Sequence, residues 1–516
     1  MRRPKVTVAI ALVFLVIAGI GAIDSTALSP GDSTAPPMGP AASEPTQDEV
    51  TLDSLVQSCA ATLPDEFADP ANESGVIGWV DGYWYDEPIE INATDGLSDA
   101  DLRRLSARTA ARVEALRCLD AGSGSPPVEV LDREQFRENQ SAQFADIPAN
   151  ETRFDNAKLE TMLLVSSTND SIEQRERNRG GTVGGSYDPG SEEINIVTDG
   201  GVDIDEPVLA HELGHAIQDQ QFNLSQYGRE TSDVDAGILG LIEGDVSLIE
   251  QRYRTACEAE LWSCVSNQGE AGDGDGSGDG DPSEPANWGL YFESFQPYSD
   301  GPSFVEYVFD RGGWAAVNDL YEEPPRSAYY VVKPDSYGSL DLANISVPDR
   351  STDRWERLTL DGPDYDTVGV AGISAMFIAP TYESRGAVSI YEPREILNLG
   401  PDGEVNRSDP LNYLQPETEG WRDDKIYVYR DVGTNQTATV WELAWATPAD
   451  VEQFVESYES MIAYRGGQPV AGLDRTYEFG PDSEYEMALR IESAGDRVTV
   501  VTAPTVDALG EVHGRQ

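Results

Sequence analysis

Residues 211–215 read His-Glu-Leu-Gly-His, and this pentapeptide constrains the fold more than any other feature of the chain. In an α-helix, side chains four positions apart lie on the same face, so His211 and His215 can share one metal ion. Glu212 lies beside them, where it can take a proton from a water molecule at the metal. The chain has only three histidines, and two of them stand at this spacing. The motif therefore predicts a helix with a zinc site, rather than a chance pair on an exposed helix face.

A catalytic zinc ion takes three protein ligands and keeps one position open for water. The third histidine, His513, stands in a polar stretch near the C-terminus, so a carboxylate is expected as the remaining ligand. We select Glu243, because a lone charge in its apolar helical stretch would be costly to bury unless it were paired or bound to metal. A surface glutamate on an amphipathic helix is the alternative. Asp245 is expected to orient a ligand histidine without touching the metal. Weaker rivals for the third ligand are Glu230, Asp235 and Glu250.

The charge of the chain limits its partners. Its 93 acidic and 35 basic side chains give a formal net charge of -58, and only four of the basic residues are lysines. Such a field repels nucleic acid and anionic lipid, so neither is expected as a partner. An acidic, disordered chain is the alternative, but nine Trp, 22 Tyr and 13 Phe can build a core. The surplus of acids with few lysines resembles proteins of halophilic archaea, in which molar salt screens the repulsion.

The N-terminal residues predict export. Arg2, Arg3 and Lys5 precede an apolar stretch, residues 6–23, which is close to the minimal length of a membrane span. Residues 1–23 are therefore either a cleaved signal sequence or a retained membrane anchor. Residues 24–50 are rich in Pro, Ser, Thr and Ala and predict a disordered linker. We expect the remainder of the chain to be extracellular or on the cell surface.

Four cysteines agree with export, because disulfides persist in oxidising compartments. Cys257 and Cys264 flank a short loop that a disulfide could close, and Cys59 and Cys118 then form the other pair by elimination. A four-cysteine zinc site is the alternative, but the chain has no C-x-x-C spacing. Nine N-x-S/T sequons give weaker support for an exposed glycoprotein surface.

The hydrophobic patterns predict an α+β fold. Helices are expected over residues 98–119, with Ser98 as N-cap, over 206–221, and from Asp233 or Asp235 onward. Glycines and alternating apolar residues predict a hairpin at 184–200. Farther along, paired strands are expected at 425–430 and 437–445, followed by a helix over 447–466.

An acidic Gly/Asp run, residues 265–286, is expected to be disordered. Within it, side chains at 273, 275, 277, 279, 281 and 284 match the spacing of a calcium loop of the EF-hand type. Low-complexity repetition generates this pattern by chance, which is the preferred explanation, with a calcium site as the alternative.

Three motifs in this order carry a resemblance: SYDPGSEEINIV, HELGHAIQDQ and the EGD that contains Glu243 and Asp245. The second and third of them resemble the arrangement of gluzincin-type zinc peptidases. All three, with PYSDGPSFVEYVFDRGGW and PPRSAYYVVKPDSY, resemble largely uncharacterised metallopeptidase-like surface proteins of halophilic archaea, with bacterial relatives. The resemblance implies a zincin-like core with an active-site helix, a glutamate helix and an edge strand. By this analogy, residues 193–197 are the edge strand that receives a peptide; an ordinary hairpin is the alternative.

The chain departs from this pattern in the residue that would stabilise the oxyanion formed when the peptide carbonyl is attacked. Many zincins stabilise it with a further histidine or tyrosine, and the sequence offers only tyrosines, with Tyr187, Tyr329 and Tyr330 as candidates. Each of the three is otherwise explained as an aromatic residue of the core or its rim.

Together these features predict a zincin-like domain over 51–340 and a smaller α+β domain of unknown role over 345–506. The expected function is zinc-dependent hydrolysis of peptide bonds in extracellular or envelope proteins, with one zinc per chain on His211, His215 and Glu243 and with Glu212 as general base. A non-catalytic surface module with a zincin fold is the alternative. A processing hydrolase with a single envelope target is a third interpretation.

Overall fold

A computed structural model gives the fold of most of the chain. It describes residues 12–15, 50–59, 63, 70, 75–91, 97–122, 124–145, 147–198, 204–265, 285–339, 342–401, 403–480 and 483–514. Most of the predicted signal or anchor segment, the linker, the core of the acidic run and the calcium-loop pattern lie outside the described residues. Among those that are described, no helix is long and apolar enough to cross a membrane.

The chain has an α+β fold, as predicted. The first part contains helices α1 (Leu52–Val56), α2 (Asp99–Arg117), α3 (Arg133–Ala145), α4 (Ala149–Thr161), α5 (Ser171–Thr182), α6 (Glu206–Phe222), α7 (Ser232–Glu258), α8 (Trp288–Leu320) and α9 (Ala328–Val332). Its strands are β1 (Leu12–Leu15), β2 (Trp79–Val80), β3 (Tyr83–Trp84), β4 (Val128–Asp132), β5 (Val183–Asp188) and β6 (Glu193–Thr198).

The later part contains a larger sheet and four helices. Its strands are β7 (Trp355–Arg357), β8 (Trp421–Asp431), β9 (Thr437–Trp445), β10 (Gly467–Pro469), β11 (Thr476–Phe479), β12 (Ala488–Ala494) and β13 (Arg497–Ala503). Its helices are α10 (Gly369–Glu383), α11 (Pro416–Glu419), α12 (Pro448–Tyr464) and α13 (Val506–Val512).

The predicted hairpin forms, but its second strand is not an edge. Strands β5 and β6 pair antiparallel, and β6 also pairs in parallel with β4 on its other side. The strand order is β1-β5-β6-β4, so the prediction that residues 193–197 form the edge strand is wrong. The alternation of Ile194 and Ile196 indicates two buried side chains, but Val197, which it places on the other face, is buried as well. It carried no information on the strand that would pair from a distant part of the sequence.

Local capping explains where the predicted helices begin. The Ser98 side chain accepts a hydrogen bond from the Asp101 amide and caps α2, as predicted. Helix α7 begins at Ser232, slightly earlier than expected, because the side chain of Thr231 accepts from the amide of Val234. The predicted helix after the strand pair is α12, which Thr447 caps in a capping box.

Helices α7 and α8 pack with their backbones in contact. A Cβ atom placed on Gly244 would lie 2.2 Å from the carbonyl oxygen of Gly301, so a side chain at this position would separate the two helices. This contact lies next to Glu243 and fixes the position of its helix against α8.

The seven-stranded sheet has the order β10-β11-β12-β13-β9-β8-β7, and its neighbouring strands β8 and β9 contain the two predicted strands. The largest hydrophobic cluster joins this sheet to the first part of the chain, since it contains both Phe292 of α8 and Trp441 of β9. The regions on either side of the predicted boundary near residue 345 therefore share a core.

Both predicted disulfides are present, Cys59–Cys118 and Cys257–Cys264. The first joins the segment after α1 to the end of α2, and the second closes the loop at the end of α7. The described cysteines are all paired, and none is free.

Candidate metal centre

Helices α6 and α7 bring two histidines and one glutamate to a common point. The Nε2 atoms of His211 and His215 lie 3.2 Å apart on consecutive turns of α6. From α7, Oε2 of Glu243 lies 3.4 Å from Nε2 of His211 and 3.3 Å from Nε2 of His215. One ligand atom from each residue falls within 4.8 Å of the others. The structure thus assembles the three residues selected as zinc ligands.

The local sequence explains why these side chains point inward. Helix α6 is buried along nearly its whole length, and α7 packs against it through apolar residues that include Ile238, Leu241 and Ile242. The two ligand histidines and Glu243 are fully buried between the helices. Burial of one carboxylate with two imidazoles is favourable only when the groups pair or share a cation.

The second nitrogen of each imidazole has its own partner. Nδ1 of His211 lies 3.2 Å from Oε2 of Glu250, and Nδ1 of His215 lies 3.0 Å from Oε1 of Gln218. Such partners fix the ring and direct Nε2 toward the centre, which is how metal-bound histidines are commonly held. Glu250 was predicted as a rival third ligand, and its position gives it this orienting role instead.

Asp245 was expected to orient a ligand histidine, and the structure links it to one only indirectly. Its carboxylate accepts hydrogen bonds from Nε of Arg117 at 2.7 Å and from the hydroxyl of Tyr321 at 2.7 Å. The same hydroxyl accepts a hydrogen bond from Nε2 of Gln218 at 2.8 Å. Asp245 therefore reaches His215 only through Tyr321 and Gln218, because its side chain leaves α7 on a different side from Glu243.

Sequence reasoning missed Gln218, although helical spacing could have found it. Gln218 follows His211 by two turns of α6, so it lies on the same face as both histidines. Glu250 follows Glu243 by the same interval on α7. A polar residue two turns from a ligand, in an otherwise apolar helix, is therefore a useful signal for an orienting partner.

The remaining candidates lie elsewhere. Asp235 pairs with Arg229 at 3.3 Å, and Glu230 pairs with Arg326 at 2.6 Å. His513 follows α13, where its carbonyl oxygen accepts a hydrogen bond from Arg490. It is buried rather than part of an exposed polar tail, as its sequence context had suggested.

Glu212 is buried beside the two histidines, and the backbone of β5 lies against its carboxylate. A Cβ atom placed on Gly185 would lie 2.7 Å from Oε1 of Glu212. Neither carboxylate oxygen of Glu212 completes a hydrogen bond of ordinary geometry with a described residue, although the backbone of Tyr187 on β5 lies close enough to act on its pKa. Burial raises the pKa of Glu212 well above its ordinary value; the neighbouring His211 opposes this rise, and the charge of Glu243 adds to it. A carboxyl group in this environment is suited to accept and return a proton.

The electrostatics of the centre favour an imidazolium paired with carboxylates in the metal-free chain. Burial acts to lower the pKa of His211, but interactions with Glu243 and Glu250 outweigh it and raise this pKa to about 10. Burial acts to raise the pKa of Glu243, but the two histidines, with His215 first, lower it to about 2. The carboxylate of Glu243 is therefore ionised and ready to bind a cation.

Two of the tyrosines considered for the oxyanion have other partners. The hydroxyl of Tyr187 donates to Oδ2 of Asp219 at 3.1 Å, and that of Tyr329 donates to the carbonyl of Glu419 at 2.8 Å. The ring of Tyr330 packs edge-on against Tyr337, with centroids 5.7 Å apart. The assignment of an oxyanion donor stays a prediction.

The donor set fits zinc. Two imidazole nitrogens and one carboxylate are a known ligand set for catalytic zinc, and they leave a fourth position for water or substrate. Both oxygens of Glu243 are buried; Oε1 has no hydrogen-bond partner among the described residues, and Oε2 has only its long contacts with the two imidazoles. A cation between Glu243 and the two Nε2 atoms would satisfy this carboxylate.

Comparison with known proteins adds one match outside this centre. A family model described as a domain of unknown function (DUF8575) matches residues 356–513, which run from β7 to the end of α13. The matched region overlaps the predicted C-terminal domain and does not include α6 or α7. No curated protein and no solved structure matches the chain.

Proposed function

We propose that the chain is a zinc-dependent peptidase of the zincin type. The observation that carries the proposal is the convergence of His211, His215 and Glu243, with Glu212 buried directly beside them. The resemblance of the motif regions to gluzincin-type surface proteins of halophilic archaea supports the same assignment. One zinc ion per chain is the expected cofactor, and peptide bonds of extracellular or envelope proteins are the expected substrates.

The three ligands would hold zinc, which supplies a Lewis acid and lowers the pKa of a bound water. Glu212 would accept a proton during attack on the scissile carbonyl and return it to the leaving amine. The partners at Nδ1, Glu250 and Gln218, would keep both imidazoles in the orientation that binds metal. The backbone of β5 would limit the positions open to the Glu212 carboxylate.

One observation favours a second candidate, a non-catalytic surface module with a metal-stabilised fold. The side chains of His211, His215, Glu212 and Glu243 are all fully buried. A metal held in such a place stabilises a fold even when no substrate reaches it. The two candidates share a zinc requirement and differ in whether Glu212 is needed for a chemical step.

The first experiment counts zinc per chain by elemental analysis on the full chain in molar salt. We expect about one zinc in the wild type. Glu243→Ala should lose it, while Glu258→Ala, at an exposed position on the same helix, should keep it. Absence of zinc from wild-type protein refolded with the metal would refute both candidates.

The second experiment separates the two candidates. Glu212→Gln should keep zinc and lose hydrolysis of an unfolded protein substrate, and Glu258→Gln should keep both. A rate unchanged in Glu212→Gln would refute the mechanism. Zinc binding without hydrolysis in the wild type, across a broad set of unfolded and envelope proteins, would favour the non-catalytic module.

A further inference from the structure

A second group of buried polar side chains lies between α8 and a loop of the later part of the chain. The loop, residues 396–413, is closed by isolated bridges between Leu397 and Leu411 and between Leu399 and Val405. Gln296 and Asp300 of α8 and Asp409 of the loop form what we term the Asp300 cluster. Gln296 is 0% exposed, Asp300 is 5% exposed and Asp409 is half-buried.

The cluster contains buried polar atoms that the protein satisfies only in part. Within the described ranges, neither side-chain atom of Gln296 completes a hydrogen bond of ordinary geometry, and neither does Oδ2 of Asp300, although Gln296 and Ser299 both lie close enough to Asp300 to act against the rise of its pKa. Gln296 precedes Asp300 by one helical turn, so both side chains lie on the same face of α8. Burial of a polar group without a full set of partners is unfavourable, and it is more unfavourable for a carboxylate. A ligand at this position would supply the partners that these atoms lack.

The loop holds the second carboxylate close to the first. Nδ2 of Asn398 donates to Oδ1 of Asp409 at 2.9 Å and to the carbonyl of Leu411 at 3.1 Å. The amide of Leu411 in turn donates to the hydroxyl of Ser299 on α8 at 3.1 Å. Burial, followed by the charge of Asp409, raises the pKa of Asp300 well above its ordinary value. The hydrogen bonds of Asn398 and Ser299 therefore hold the part of the loop that carries Asp409 against the stretch of α8 that carries Asp300.

The ion pairs of the described residues include no Lys or Arg that reaches either carboxylate. Ion pairs on α8, α7 and α10 use Glu293, Glu250 and Glu383 instead. Two acids held together in a buried place without a basic partner need a positive charge from elsewhere.

We propose that the Asp300 cluster binds one hard divalent cation of the calcium class. The two carboxylates and the amide oxygen of Gln296 are oxygen donors, which calcium prefers, and water would complete the six to eight ligands it takes. The cluster offers no nitrogen or sulfur donor that would favour zinc. The cation would link α8 to the loop, next to Gly301, where α8 contacts α7. The proposal is independent of the zinc centre.

A shared proton is the competing explanation, because a protonated Asp300 beside an ionised Asp409 would also relieve the repulsion. The two explanations predict different responses. A cation site responds to added calcium and is destroyed by Asp300→Asn. A shared proton gives no calcium response, and Asp300→Asn then replaces a neutral carboxyl group by a neutral amide of the same shape.

The test measures the thermal unfolding midpoint of the full chain, freed of divalent metals, with and without calcium in molar KCl. High salt suppresses weak binding to the acidic surface. With calcium about 100-fold above its dissociation constant, we expect the wild-type midpoint to rise by about 2–3 °C. Magnesium should give a smaller shift, because it demands six ligands in near-ideal octahedral geometry.

Asp300→Asn and Asp409→Asn should lose the calcium shift, whereas Asp353→Asn, at an exposed position, should keep it. Glu243→Ala should also keep it, so failure of the zinc assignment leaves this test intact. Calcium counted directly by equilibrium dialysis of the wild type covers the case in which a variant does not fold. Absence of a wild-type shift, or a shift retained in both cluster variants, overturns the proposal. Asp300→Asn that matches or exceeds the wild-type midpoint, without a calcium response in either protein, identifies the shared proton.

Discussion

Nδ1 of His215 lies 3.0 Å from Oε1 of Gln218, three residues farther along the same helix. The amide nitrogen of Gln218 donates to the carbonyl of Ile242 at 3.0 Å and to the hydroxyl of Tyr321 at 2.8 Å. These two acceptors assign the amide orientation, so its oxygen faces His215 and accepts the Nδ1 proton. The lone pair of His215 is then on Nε2, which points at Glu243.

This relationship makes Gln218 the residue that prepares His215 for metal binding. Gln218→Met keeps the size of the side chain and removes its hydrogen bonds, so the imidazole is no longer held in one tautomer and orientation. We expect zinc affinity to fall by about 10- to 100-fold, as measured by competition with a chelator of known affinity. Gln220→Met, at an exposed position on the same helix, should leave the affinity unchanged. Equal affinities in the two variants would mean that the Gln218 contact does not orient the ligand.

Zinc binding should release a proton from His211. In the metal-free chain, Glu243 and Glu250 overcome the effect of burial and raise the pKa of His211 to about 10, above its ordinary value of 6.5. The imidazole is therefore charged at pH 8, and a metal can bind only the neutral form. Calorimetry at pH 8 in buffers of different ionisation enthalpy should give about one proton released per zinc. A value near zero would show that His211 is already neutral.

The raised pKa of His211 also determines how the stability of the metal-free chain changes with pH. Because the folded-state pKa is raised, the stabilisation from charged His211 is fully present below pH 6.5 and is lost as pH rises toward 10. Zinc should abolish this dependence, since the metal replaces the proton. Thermal unfolding midpoints over this range, with and without zinc, provide the measurement.

The sequence predicted the local parts of the centre and could not predict the contacts made over long distances. The spacing of His211 and His215 and the apolar surroundings of Glu243 are helix properties that a few adjacent residues determine. The pairing of β6 with β4 and the link from Asp245 through Tyr321 depend on packing between segments far apart in the sequence. Hydrophobic periodicity identifies a buried face but not the element that covers it. For the same reason, the burial of His513 was not expected.

We expect Gly185 to be required for the proposed hydrolysis, because a side chain at this position would collide with the carboxylate of Glu212. A Cβ atom at this position would lie 2.7 Å from Oε1 and 3.0 Å from Cγ of Glu212, so Gly185→Ala forces the carboxylate or β5 to move. A displacement of about 1 Å in a reacting group can lower the rate by about 100-fold. We expect Gly185→Ala to keep zinc and to lower kcat for the proposed hydrolysis by about 10- to 100-fold. Gly190→Ala, in the turn of the same hairpin, meets only the end of the Asp188 side chain and serves as the control. A Gly185→Ala variant with the wild-type kcat would show that β5 does not position Glu212.

The first residue of α6 should be as important for stability as its histidines are for metal binding. The Glu206 carboxylate is fully buried and accepts hydrogen bonds from Arg108 at 2.9 Å, from Arg112 at 2.8 Å and from the amide of Val265 at 2.7 Å. It therefore joins α2 and the disulfide-closed loop to the start of the helix that carries His211.

Glu206→Gln keeps the shape of the side chain but removes the charge that compensates two buried arginines. Breaking a buried ion pair from one side costs about 3–5 kcal/mol, because the other charge remains without a partner. We expect the variant to lower the free energy of unfolding by about this amount, as measured by denaturant titration of the metal-free chain in molar salt. Glu258→Gln, which removes the same charge at an exposed position, should change it by less than about 0.5 kcal/mol. A similar small change in Glu206→Gln would mean that the arginines find other partners, and that the start of α6 is held by apolar packing alone.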